Sequence, residues 1–178
     1  MVDITFGRSK ASTNMFGQRE MQARAYDARA AQFLLLKAPP AAGKSRALMF
    51  VALDKLENQG VGKAIVCVPE TSIGASFRST DLTSHGFFAD WQVDPRWNLC
   101  LSGAEDGVTS GKVRAVRDFM ASGDRVLVCT HATFRFAVDR FGVEAFDDCL
   151  IAVDEFHHVS ANPDSKLGTH LAAFIARD

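Results

Sequence analysis

Gly43, Lys44 and Ser45 stand together in "KAPPAAGKSRALMF", and Asp154 and Glu155 stand together in "LIAVDEFHH". A glycine followed by an ammonium and a hydroxyl at the start of a helix is suited to a phosphate chain. Backbone N–H groups converge on the phosphates, the lysine reaches the outer oxygens, and the hydroxyl ligates Mg2+. Two carboxylates closing an apolar run can divide two tasks. Asp154 can hold the magnesium through water, while Glu155 polarises a water for in-line attack on a terminal phosphate. Each stretch also has a plainer reading. G-K-S opens helices by chance, and an acidic pair after a strand is often only a solvated turn. His157 and His158 follow directly and raise a metal-site reading, but adjacent residues rarely aim at one ion, so protein-bound zinc is disfavoured.

For these groups to act together, the chain must deliver them to one place. The run "QFLLLKA" at 32–38 reads as a buried strand leading into the loop 39–43. "KSRALMFVALDKLENQG" reads as a helix with Ala47, Leu48, Val51, Ala52 and Leu56 on its apolar face, ended by Gly60. Further strands are expected at 63–69, stopped by Pro69, at 125–130 and at 149–154, with a short one at "WNLCL". Helices are expected at 15–31, 109–122, 132–142 and from 167 onward. Strands that are apolar on both faces and alternate with helices specify an α/β domain: a mostly parallel sheet covered on both sides, in three layers. Ligands of open α/β sheets bind at the carboxyl edge, where Asp154 and Glu155 fall. The G-K-S loop lies between a strand and a helix, the context its motif requires. With the acidic strand end it makes the two halves of a P-loop ATPase.

The 178 residues suit one domain with a real core, and 47 % hydrophobic with 23 % charged residues is an ordinary globular balance. A net charge of −1 gives no bulk signal for nucleic acid or membrane. The charge is uneven: residues 1–50 hold eight Lys/Arg against three Asp/Glu, and 139–164 hold seven Asp/Glu against one Arg. Those ends could bracket a phosphate–metal site or be scattered surface charge. Cys67, Cys100, Cys129 and Cys149 have no zinc spacing and read as small buried hydrophobes. No apolar run is long enough to cross a bilayer and no signal peptide opens the chain, so no membrane partner and a reducing cytoplasm are the expectation.

"KAPPAAGKS" and "DEFHH" in this order resemble motif I (A-x-x-G-x-G-K-[ST]) and motif II (D-E-x-H) of superfamily 2, DExH/DEAD-like helicases, in their first RecA-like domain. Two departures from motif I remain: Ala41 for the usual Gly, and Ser45 for the commoner Thr. Ala lacks the backbone freedom of Gly, so Ala41 bears on affinity more than on fold. The resemblance implies ATP and Mg2+ as cofactors. Pro40, Ala41, Ala42, Gly43, Lys44, Ser45 and Arg46 would contact the nucleotide. Ser45 and Asp154 would hold the metal, Glu155 would be the catalytic base, and His157 would couple the ATP site to nucleic acid. "VCVP" ending at Pro69 resembles motif Ia, and "VLVCTHATF" with Thr130 resembles the T-x-x-T segment; both imply contacts to a nucleic-acid backbone. Arg19-x-x-Gln22-x-x-Ala25 is similar to the R-x-x-Q-x-x-A helix, whose Gln reads adenine, although an Arg- and Gln-rich helix looks the same by chance.

The resemblance covers roughly residues 15–178, after a flexible lead-in at 1–14. It implies a domain incomplete at its C-terminus: the motif III strand, expected between the motif I and motif II strands, is absent, and so is the second RecA-like domain. A gap in the sheet, or another strand in that position, is therefore expected. The second domain would come from the same parent chain or a partner subunit. The function implied is the ATP-binding half of a nucleic-acid-dependent ATPase, helicase or translocase, with DNA ahead of RNA as partner. A stand-alone or degenerate nucleotide-binding module, acting as switch or scaffold, is the alternative. Residues 70–100 match no motif; Phe87, Phe88, Trp91 and Trp97 there could be a base-stacking surface, core, or a docking patch.

Overall fold

The computed structural model describes residues 13–39, 41–101, 109–157 and 166–177. Three strands form one parallel sheet: β1 (Lys63–Val68), β2 (Val126–Thr130) and β3 (Cys149–Val153), in the order β2-β1-β3. β1 is the centre strand. Val66 pairs with Val128 on one side and with Ala152 on the other, and the register holds along both ladders. Every residue of β1 from Ala64 to Val68 is buried, as a strand covered on two faces must be.

Alternate residues of these strands feed two separate cores, giving three layers. Ala64, Val66, Val68, Val126 and Val128 face α2 (Lys44–Asn58), meeting Met49, Phe50, Leu53 and Leu56. Ile65, Cys67, Leu127 and Cys129 face α4 (Thr109–Ala121) and α5 (His131–Phe141), meeting Val116, Phe119, Phe134 and Ala137. α1 (Glu20–Asp27) packs on α2, with Tyr26 donating to the buried Asp54 at 3.1 Å. A single turn, α3 (Thr71–Gly74), follows β1, and α6 (Lys166–Ile175) closes the described chain against α5. The fold is α/β with a small parallel sheet, consistent with a RecA-like domain. No helix among the described residues is long and apolar enough to cross a membrane.

The expected buried strand at 32–38 is not formed. The segment joins no ladder, and Phe33, Leu34 and Leu35 are 54 %, 41 % and 75 % exposed. A strand needs a neighbour for its backbone N–H and C=O groups, and β3 is the last strand of the sheet on that side. Among the described residues no strand pairs with the outer edge of β3, which is only half-buried along its length. "WNLCL" contributes a single bridge, Asn98 to Val128, rather than a strand.

Residues 70–100 fold into an irregular cover over α2. Their burial answers the question of their aromatics: Phe87, Trp91 and Trp97 are core, and only Phe88 is exposed. Trp91 donates its indole N–H to the carbonyl of Phe77 at 3.1 Å, and Trp97 donates to Asp124 at 2.8 Å. The cysteines are free, and burial pushes the Cys100 and Cys149 thiols up to about 12 and about 11, so they remain protonated hydrophobes. Of the lead-in at 1–14, residues 1–12 lie outside the described residues.

Candidate nucleotide site

The loop 39–43 opens α2. Gly43 is its N-cap at φ 88°, and a Cβ there would lie 2.5 Å from the Gln22 amide nitrogen. Glycine is thus required for both the backbone angle and the close approach. Gln22 is buried and ties two elements together. Its oxygen accepts from the Arg19 N–H at 2.8 Å, and its NH2 donates to the Gly43 carbonyl at 3.1 Å. One acceptor lone pair and one N–H of the amide are not used by these bonds. Gln22 therefore ties α1 to the loop that opens α2.

Ala41 adopts φ 61°, the left-handed region that its counterpart glycine would enter freely. Holding an L-residue there costs about 1–2 kcal/mol, against which glycine loses about 0.5–1 kcal/mol of unfolded-chain entropy. Ala41→Gly is therefore expected to raise stability by about 1 kcal/mol or less, seen as a melting temperature up to about 2–4 °C higher. A lower melting temperature would show that the loop is not strained by this side chain.

Lys44, at the first helical position, reaches across to the other motif. Its ammonium lies 3.4 Å from the Glu155 carboxylate and donates to the Ala38 carbonyl at 3.5 Å. Both side chains are about one quarter exposed. Glu155 also meets His157, 3.2 Å from its other oxygen, and sits at φ 51°. Among the described residues, three non-glycine positions have positive φ, and two of them, Ala41 and Glu155, belong to these two loops. Strain of this kind concentrates at functional sites.

Asp154 is fixed from three directions. Its N–H donates to the Cys67 carbonyl of β1 at 2.8 Å, its carboxylate accepts from the Glu155 N–H at 3.0 Å, and its carbonyl meets the His131 ring at 3.0 Å. Burial raises its carboxyl pKa, and the neighbouring Glu155 charge adds to the effect while Lys44 opposes it. A buried carboxylate with a raised pKa is destabilised by its own charge, the condition a divalent cation relieves. The sign follows directly. With the folded pKa above the unfolded one, the stability Asp154 contributes is full below the unfolded pKa and is lost as pH rises through the folded one. Asp154→Asn keeps an acceptor for the Glu155 N–H but carries no charge. It should therefore be more stable than the parent at neutral pH, by the about 0.5–2 kcal/mol typical of relieving a functional site. That gain should shrink as pH falls through the carboxylate range. Melting curves at neutral and acidic pH check this; a gain that does not shrink with acid would overturn it.

The remaining expected residues lie as follows. Ser45 and Arg46 are half-buried in the first turn of α2, and Ala42 is half-buried in the loop. Pro69 ends β1 at the carboxyl edge, and Thr130 ends β2 there. The Thr130 hydroxyl caps α5, accepting from the Thr133 N–H at 3.2 Å. Pro40 and His158 lie outside the described residues. No group of three or more His, Cys, Asp or Glu that could hold a metal occurs among the described residues.

A cavity of about 670 Å3 runs from this loop toward α1, lined by Gly17, Arg19, Gln22, Gly43, Arg46 and His85 among others. Lys44, Asp154 and Glu155 are not in its lining. Sequence reasoning missed two residues here. His131 directly follows Thr130, a neighbourhood that could have drawn attention to it. His85 comes from a region without any motif.

No family model matches the chain, and no solved structure does. Among curated proteins, the chain is similar to the "Putative ATP-dependent helicase YeeB" of Bacillus subtilis (strain 168), 57 % identical over 169 residues. That match covers 95 % of this chain and 27 % of the relative. It is also similar to the "ATP-dependent RNA helicase DHX58" of Mus musculus, 26 % identical over 146 residues, 80 % of this chain and 19 % of the relative. The chain thus spans about a quarter or less of the length of these relatives. Both carry ATP-dependent helicase names, which supports a helicase family for this chain.

Proposed function

We propose that this chain is the ATP-binding half of a nucleic-acid-dependent ATPase of the superfamily 2 type, coupling hydrolysis to movement on DNA or RNA. One observation carries the reading: Lys44 of the glycine loop and Glu155 of the acidic strand end, far apart in sequence, meet at 3.4 Å. The proximity supports a reading in which Lys44 serves the phosphates and Glu155 activates water. The donors present fit magnesium: a hydroxyl at Ser45 and a desolvated carboxylate at Asp154, with phosphate oxygens and water left to fill an octahedral shell. When bound, the ion would neutralise charge on the outer phosphates.

In this proposal the Lys44–Glu155 pair is exchanged on binding. Lys44 turns from Glu155 to the outer phosphates, and the released carboxylate orients the attacking water and takes its proton. The bond from the bridging oxygen to the terminal phosphorus breaks, and ADP and phosphate leave. His157, 3.2 Å from Glu155, would relay the state of the base toward Pro69 and Thr130, where a nucleic-acid backbone would lie. We put DNA ahead of RNA, although one relative's name specifies RNA. A second RecA-like domain would supply the cation opposite the terminal phosphate. A stand-alone nucleotide switch or scaffold is the second reading, favoured by the strained Ala41.

The test is ATP hydrolysis by a protein of the relatives' length carrying this chain, with no nucleic acid, with duplex or single-stranded DNA, and with RNA. Stimulation by DNA is the expected result. ATP binding without stimulation by either polymer would favour the switch; stimulation by RNA alone would reverse the choice of polymer.

A further inference from the structure

We propose that His85 is a nucleotide-binding residue: it lines, with Arg19 and Arg46, the cavity that would take the base. The inference rests on the nucleotide reading above and adds a residue to it from the segment that no motif explains. His85 lines the same cavity as Gln22 and Gly43 although it is far from both in sequence.

The structure holds this histidine on a rigid mount. Two turns interlock there, each through a glycine with positive φ. At Gly17 (φ 71°) a Cβ would lie 2.7 Å from both the Cβ and the carbonyl oxygen of His85. At Gly86 (φ 94°) a Cβ would lie 2.2 Å from the Met15 carbonyl oxygen. Only glycine permits either approach. The histidine turn is braced from below as well. Asp90 accepts from the N–H groups of Leu82 and Thr83, both at 2.8 Å, and Asp81 accepts from Ser84 at 2.9 Å. Leu82 and Phe87, on either side, are buried in the core, with the Phe87 ring 4.5 Å from Phe50 of α2. The opposite turn is closed by Asn14, whose side chain accepts from the N–H groups of Phe16 and Gln18. His85 itself is exposed. An exposed imidazole on a twice-locked turn, over a cavity whose floor is a phosphate loop, is placed to stack on a base. The guanidinium planes of Arg19 and Arg46 can also stack on a base.

The experiment uses this chain, two ligands and calorimetric titration. ATP carries a base; inorganic tripolyphosphate carries only the phosphates. His85→Ala should weaken ATP about 5- to 100-fold, the usual effect of losing one base-stacking partner, while tripolyphosphate affinity and the melting temperature stay at their parent values. His85→Phe should restore ATP binding, because it keeps the planar ring. An unchanged ATP affinity in His85→Ala, an equal loss of both ligands, or no rescue by Phe would each overturn the assignment. Lys44→Ala separates this failure from that of the underlying reading, since it should weaken both ligands. A parent chain that binds neither ligand, or a Lys44→Ala chain that binds both as well as the parent, would remove the nucleotide reading itself and His85 with it.

Discussion

Lys44→Ala is expected to weaken ATP binding at least about tenfold and to remove turnover in the protein that carries this chain, while the fold survives. In the proposed site the lysine would make one charge-assisted contact to the outer phosphates, and hydrogen bonds to charged groups are worth about 1.5–3 kcal/mol. The effect on hydrolysis is larger, because the same charge is needed most when negative charge moves on the terminal phosphate. Removing one such fixed donor commonly costs about 10²–10³ in rate. The structure adds a second cost. Lys44 is the cation that pairs with Glu155 and opposes the raised pKa of Asp154. Without it two adjacent carboxylates face each other with only His157 nearby, and an incoming triphosphate meets uncompensated negative charge. Stability changes little by comparison. The pair is about one quarter exposed, and such pairs contribute about 0–1 kcal/mol. α2 is held by Ala47, Phe50, Leu53 and Leu56, none of which is touched. ATP titration and melting curves of parent and variant are the check. Equal binding by both would remove this loop from the nucleotide site.

The two motifs stand out in the sequence because the chemistry they suggest is local. A phosphate cradle needs its glycine, lysine and hydroxyl in consecutive positions, and the acidic pair needs only a strand that ends at the sheet edge. β1, β2 and β3 were legible for a related reason: strands covered on both faces must be apolar throughout, and no helix of that length reads the same way between Gly, Pro and Asp. Residues 32–38 carry the same signature and form no strand. Composition reports that a segment can be buried, whereas pairing depends on a neighbour elsewhere in the chain, and β3 offers none of its own ladder there. The cover at 70–100 read as irregular because its order comes from side chains that bond to backbone. Asp81, Asp90 and Asn98 accept from Ser84, Leu82 and Cys100, which leaves no periodicity to detect. Those bonds carry Trp91 and Trp97 inward and His85 outward, a distinction invisible in a list of aromatics. His131 was missed because its partner is a backbone carbonyl of Asp154, 23 positions away.

Glu155→Gln separates binding from hydrolysis. Glutamine has nearly the same shape as glutamate and can still accept a hydrogen bond from a water, but it cannot take the proton the attacking water must lose. Losing a general base costs about 10²–10⁴ in rate, so turnover should fall by that factor. Binding should move the other way. Glu155 competes with phosphate for Lys44 in the present arrangement, and a partly exposed pair of this kind is worth about 0.2–1 kcal/mol. Removing its charge therefore leaves ATP affinity unchanged or raises it by up to about fivefold. Asp154 benefits too, since the neighbouring charge that helps to raise its pKa is gone, and magnesium-dependent binding should persist. The backbone is not a confounder: glutamine at φ 51° suffers the same left-handed strain as glutamate. Asp154→Asn is the opposite case, losing magnesium-dependent affinity although it gains stability. Measured side by side, the two variants assign the roles. Turnover retained in Glu155→Gln would mean the base lies elsewhere. Loss of magnesium-dependent binding in Glu155→Gln, with binding kept in Asp154→Asn, would exchange the functions given to the two acids.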